Sequence, residues 1–99
     1  MEKIYELSEV FKALSDPTRL RLVKLLGDHK GELCVNALAR QLNVTQSAVS
    51  QHLRILRHAE LVKGERRGSS VHYSLDQEKL EQYTNKILET LGEDILVSR

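Results

Sequence analysis

The 99-residue sequence predicts a mainly α-helical fold carrying one small β-hairpin ahead of its last helix. Three observations lead there. Apolar residues recur at helical spacing through residues 4–59 and again through 77–91. Between those stretches, at 70–75, the period changes to strict alternation. Capping and turn residues stand at the joins. No repeat, low-complexity run or linker breaks the chain, so one domain over residues 1–99 is expected.

Taken in order, Ile4, Leu7, Phe11 and Leu14 mark a first amphipathic helix over about 4–14. Asp16-Pro17 reads as an N-cap followed by proline at the first helical position. The helix it opens, about 17–27, should turn Leu20, Val23 and Leu26 or their neighbours inward, with Gly27 and Gly31 bracketing its end. A short third helix over 35–42 has Val35, Leu38, Ala39 and Leu42 as its inner face. Asn43-Val44-Thr45 is a tight connection, and Thr45 can cap a fourth helix, about 46–59, striped by Val49, Leu53 and Leu56. A short helix, a tight turn and a second helix with an apolar inner stripe make a helix-turn-helix at about 35–59. Val71, Tyr73 and Leu75 alternate with Ser70, His72 and Ser74 as one strand. Leu61-Val62-Lys63 supplies its partner, and Arg66-Arg67-Gly68-Ser69 the turn. A hairpin in this position, about 61–75, is a wing. Leu80, Tyr83, Ile87 and Leu91 stripe a final helix over 77–91 that Gly92 ends, and 93–99 form a frayed tail or a short extra turn.

Composition narrows the function. With 40% hydrophobic and 29% charged residues the chain is an ordinary globular protein rather than a disordered one. It shows no apolar run long enough to span a bilayer and no signal-peptide pattern. Its single cysteine, Cys34, cannot form an intrachain disulfide, and a reducing cytoplasm is the expected setting. Glycine-rich phosphate loops, nucleophile elbows and HExxH metal motifs are all missing, so no enzyme is expected. A chain this short gains from pairing with a copy of itself.

The charge is unevenly spread. Residues 40–75 carry Arg40, Arg54, Arg57, Lys63, Arg66 and Arg67 against Glu60 and Glu65, whereas 76–99 are net acidic. A polyanion would dock on the middle segment. With Val49, Leu53 and Leu56 turned inward, a rotation of about 100° per residue aims Ser47, Gln51, Arg54 and His58 outward, flanked by Gln46 and Ser50. Gln reads adenine, Ser bonds donors or acceptors, and Arg suits guanine or phosphate. Backbone N–H groups near Thr45 could hold a phosphate. Any surface helix carries Ser, Gln and Arg, but residues 46–59 contain no acidic residue at all, which is what phosphate demands. Arg66 and Arg67, placed at a hairpin tip, could enter a minor groove or clamp phosphate. The candidate DNA-binding set is therefore Thr45, Gln46, Ser47, Ser50, Gln51, Arg54, Arg66 and Arg67.

The stretches "FKALSDPTRLRLVKLL" (11–26) and "GELCVNALARQLNVTQSAVSQHLRILRHAELVKGERRGSSVHYSL" (31–75), with the closing helix, closely resemble the ArsR/SmtB family of small bacterial and archaeal repressors. The resemblance covers about residues 5–91. It implies a winged helix-turn-helix of four helices, two strands and a fifth helix, forming a homodimer through its first and last helices, about 4–14 and 77–91. It also implies repression of a promoter relieved by an inducer. The family's DNA contacts carry over to Gln46, Ser47, Ser50 and Gln51, and to the wing near Arg66 and Arg67. Two-fold symmetry implies an approximately palindromic double-stranded operator, with half-sites about one helical turn or a multiple apart.

The family's effector sites are mostly missing here. Many members bind a thiophilic metal through a C-V-C at the third helix, where this chain reads Glu32-Leu33-Cys34-Val35-Asn36. Cys34 is the one candidate ligand, and one thiolate does not close a tetrahedral site unless His29 or a partner residue joins it. The zinc positions of the last helix fall near Gln77, Lys79, Thr90 and Glu93, of which only Glu93 could ligate, so no metal is expected there. A single cysteine also rules out an intrachain thiol switch, and an inter-subunit Cys34 disulfide would need close approach across the dimer. The inducer is left open. Two alternatives stand beside this reading: a metal- or thiol-sensing repressor that uses Cys34, and a winged-helix module that docks protein and binds no operator.

Overall fold

Asp16 makes the first corner of the chain. Its side chain accepts the Arg19 backbone N–H at 3.1 Å, and Pro17 occupies the first helical turn. The fold is described by a computed structural model for residues 2–29 and 31–92. Helix α1 spans Glu2–Leu14 and α2 Pro17–Asp28. A two-residue strand β1 (Leu33–Cys34) leads directly into α3 (Val35–Leu42). Helix α4 spans Gln46–His58, strands β2 and β3 span Val62–Arg67 and Ser70–Leu75, and α5 spans Gln77–Ile87. A wider π-helical turn, Leu88–Gly92, continues α5. The expectation for 93–99, and the family ligand position at Glu93, lie outside the described residues.

The turn between α3 and α4 shows why these residues fold this way. Asn43 sits in the left-handed region at φ 56°, which asparagine tolerates better than most residues. Its N–H and that of Val44 reach back to the carbonyls of Arg40 and Ala39 at 3.3 and 3.1 Å. Thr45 then caps α4, its Oγ1 accepting the Ala48 N–H at 3.0 Å. The orphan carbonyls and N–H groups of both helix ends are thus partly satisfied inside the turn.

The sheet differs from a plain hairpin. It has three antiparallel strands in the order β1-β3-β2, with Leu33 opposite Tyr73 and Cys34 opposite His72. β2 also runs further than the expected 61–63. Arg66 pairs with Val71 and Arg67 with Ser70, which leaves Gly68-Ser69 as the turn, with Gly68 at φ 63°. Arg66 and Arg67 therefore belong to a strand and not to the tip. Successive strand side chains alternate between faces, so the two arginines project from opposite sides.

The core is built by Leu22, Leu26, Leu38, Val49, Leu53, Leu56 and Leu61, all with relative exposure of 2% or less. Burying each of these leucines contributes roughly 1.5–3 kcal/mol. The stripe expected for α4 is buried, as are Leu38, Ala39 and Leu42 of α3, while Val35 is half-buried. Helix α1 departs from expectation at two positions, and α2 buries Leu26 with a neighbour of Leu20. α1 turns Leu7, Val10 and Ala13 inward and leaves Ile4 and Phe11 exposed; α2 buries Leu22 beside Leu26 and exposes Leu20. Leu14 and Val23 pack half-buried against the core as expected, so the inward face is rotated slightly and not replaced. In α5 only Tyr83 is fully buried, its hydroxyl donating to the Ala59 carbonyl at 3.0 Å. Burial pushes that phenol's pKa up.

Candidate nucleic-acid interface

Helix α4 separates two chemistries by rotation alone. Val49, Leu53 and Leu56 are fully buried, whereas Gln46, Ser47, Ser50, Gln51, Arg54, Arg57 and His58 are exposed. None of these exposed side chains hydrogen-bonds or ion-pairs within the described residues. Thr45 is also exposed, with its hydroxyl oxygen engaged in the cap. The helix has no acidic residue along its length. Its polar edge thus offers unspent donors and acceptors, supported from behind by a packed leucine stripe.

His52 lies between the two faces and is braced from below. Its Nδ1 is 3.3 Å from Arg19 Nη1 and 3.9 Å from Asp16 Oδ2. A guanidinium only donates, so Nδ1 acts as acceptor in this contact. Arg19 also donates from Nε to the Ala13 carbonyl at 2.6 Å and from Nη2 to the Lys12 carbonyl at 3.3 Å. One side chain of α2 therefore ties the last carbonyls of α1 to the middle of α4. The Arg19 backbone N–H, more than any nearby charge, holds the Asp16 carboxyl below its ordinary pKa. The Asp16 cap is legible in the sequence. The Arg19–His52 contact is not, because the partners stand 33 residues apart.

The wing is less free than the helix. Arg66 and Arg67 are both exposed, but Arg67 is paired with Glu32, its Nη2 lying 2.9 Å from Oε1. Glu32 carries no signal in the sequence that would place it there.

Cys34 sits half-buried at the N-cap of α3 and opens onto a hollow shared with Asn36, Arg40, Asn43 and Gln46. Among the described residues, no group of three or more His, Cys, Asp or Glu side chains could hold a metal ion. Of the family's zinc positions, Gln77 and Thr90 are exposed and Lys79 lies 3.4 Å from Glu60.

A packed helix-turn-helix with an acid-free outer edge, followed by a hairpin wing, defines a DNA-binding transcription regulator of the winged-helix class. Residues 16–63 match the model of the bacterial regulatory proteins of the arsR family. The chain is 48% identical over 75 residues to the transcriptional repressor SmtB homolog of Synechocystis sp., an alignment covering 76% of this chain and 55% of that protein. It is 35% identical over 82 residues to the transcriptional repressor SdpR of Bacillus subtilis, covering 83% and 89%. Among solved structures, an ArsR-like transcriptional regulator from Rhodococcus sp. RHA1 superposes with a TM-score of 0.80 at 29% identity, covering 95% of this chain and 86% of that one. The homodimeric winged helix-turn-helix DNA-binding domain of Mb0332 from Mycobacterium bovis gives 0.72 at 25%, covering 92% and 82%. The chain belongs to the ArsR family, of the ArsR/SmtB repressor type, a family of transcription regulators and not of enzymes. It spans about half the length of the Synechocystis relative and most of SdpR.

Proposed function

We propose that this protein is a cytoplasmic repressor that binds an approximately palindromic operator as a homodimer and leaves it when an inducer binds. The observation that carries the reading is the outer edge of α4: Gln46, Ser47, Ser50, Gln51 and Arg54 are exposed, unpartnered among the described residues and free of acidic neighbours on the helix. The first turn, Gln46 to Gln51, would read base edges in the major groove. Thr45 and Arg54 would hold the flanking phosphates, and Arg66 and Arg67 would reach the backbone or the minor groove from the wing.

Pairing is supported by apolar surface that a monomer leaves wet. Ile4 is 49% exposed, Phe11 42% and Leu91 62%. With Leu7, Ser8 and Thr90 they line a groove of about 450 Å³ between α1 and the turn after α5. A two-fold contact there would use the same patch on both copies, as an isologous dimer requires. The similar domain from Mycobacterium bovis is homodimeric, which supports pairing as such. No helix among the described residues is long and apolar enough to cross a membrane. The cytoplasmic setting follows from action on DNA.

Selection of bound duplexes from a random pool tests the reading, followed by titration of the selected duplex at rising salt. The expected result is an enriched motif with two-fold symmetry and an affinity that falls log-linearly with salt. A pool that yields no motif, together with binding indifferent to salt, would mean that the module docks something other than DNA.

A further inference from the structure

The two arginines of the wing live in different surroundings. Arg66 has no ion-pair partner among the described residues. Arg67 presents one edge of its guanidinium to a single carboxylate oxygen: Nη2 lies 2.9 Å from Glu32 Oε1, and Nε donates to that same oxygen at 3.1 Å. Glu65 Oε2 stands 3.7 Å from Nη2 on the same strand face. One cation thus meets two anions, and the trio has more negative charge than positive. The Glu32 side chain is only 25% exposed, so solvent screens this pair less than an ordinary surface one. Its position is a consequence of β1. Pairing Leu33 with Tyr73 draws the residue just ahead of that strand up to the wing sheet.

The guanidinium edge that chelates a carboxylate is the edge that chelates a phosphate. We propose that Glu32 competes with DNA phosphate for Arg67, and so sets how much the wing adds to DNA affinity. The inference rests on the DNA-binding reading of the wing. In the free protein the Arg67 guanidinium is engaged by Glu32, although the side chain stays exposed. On DNA, a phosphate must displace Glu32 or leave Arg67 uninvolved, and the carboxylates oppose its approach. Arg66, pointing from the other face, is the arginine available from the start.

The test uses the full chain, a labelled random-sequence duplex and salt from about 50 to 300 mM, the range over which phosphate contacts are read out. Wild type, Glu32→Gln, Arg67→Gln and the double variant are compared. Glu32→Gln is expected to bind about threefold to fivefold more tightly at low salt, the scale of a partly shielded ion pair. Its log–log salt slope should steepen by about 0.9, one phosphate more. In the Arg67→Gln background the same change should do nothing. An unchanged or weaker Glu32→Gln would overturn the proposal, and so would a gain that persists without Arg67, because a general loss of negative charge would then explain it. A wild-type protein with no salt-dependent binding would sink the DNA-binding reading first, before any variant is compared. As a measurement independent of binding, the Arg67 Nε–H resonance of the free protein should be protected from exchange in wild type and lose that protection in Glu32→Gln. Equal exchange in both would also count against it.

Discussion

The outer edge of α4 and the outer end of the wing strand β2 are both exposed, polar and basic, yet they stand in opposite states of readiness. On α4, Gln46, Ser47, Ser50, Gln51 and Arg54 have no partners among the described residues, and nothing negative lies along the helix. At the wing, Arg67 is held by Glu32 and approached by Glu65. The difference teaches that exposure alone does not define a binding surface. A group contributes to affinity by the difference between its partner in the complex and its partner before it. For α4 that earlier partner is water. For Arg67 it is a carboxylate, so the net gain from phosphate is smaller.

The largest expected effect is on the helix. Gln51→Ala should weaken operator binding by about 1–3 kcal/mol and relax base preference at one position of each half-site, as loss of a bidentate base contact does. Selection of bound duplexes with the variant reads both quantities. A uniform loss across all sequences would assign Gln51 to phosphate instead and break the contrast between a reading helix and a positioning wing.

The next effect separates the two arginines. Arg66→Ala should weaken binding to every sequence alike and flatten the salt slope by about one. Arg67→Ala should do less of both, since the carboxylates have already claimed that side chain. Anisotropy titrations of the two variants at a common series of salt concentrations decide it. If Arg67→Ala costs more than Arg66→Ala, then Glu32 pre-orients Arg67 for DNA and the ranking is reversed.

The sequence made the local features of this contrast legible and hid the long-range ones. Asp16, Pro17 and Thr45 act within a turn of their own positions, and the Val49-Leu53-Leu56 stripe declares its face by period alone. The outward set on α4 follows from that stripe by geometry. Ile4, Phe11 and Leu20 belong to the right helices, but an apolar residue does not say whether it faces its own core or waits for another surface. β1 has only two residues and exists through its pairing with β3. Arg66 and Arg67 read as turn residues because basic pairs next to Gly-Ser suit a loop; the register of β2 on β3 makes them strand. Glu32 and Arg67 meet across 35 positions, with no local signal to announce it.

The smallest expected effect tests the support beneath the helix. Asp16 is held below its ordinary pKa chiefly by the Arg19 N–H it caps. A carboxyl whose pKa is lower in the folded than in the unfolded chain stabilises the fold above its unfolded value, and this contribution is lost as pH falls through the folded one. Asn caps a helix about as well as Asp, so Asp16→Asn removes the charge and keeps the cap. The melting temperatures of wild type and variant should therefore differ at neutral pH and converge in acid. Backbone resonances that shift on acidification should cluster where α1, α2 and α4 meet, because Arg19 links Asp16 to Lys12, Ala13 and His52 there. The wing joins the body through other contacts: β1 pairs with β3, and α2 and α4 pack against β3 and β2. Wing resonances tracking Asp16 as strongly as those of α4 would show that the two regions move as one, and the independence on which their contrast depends would be gone.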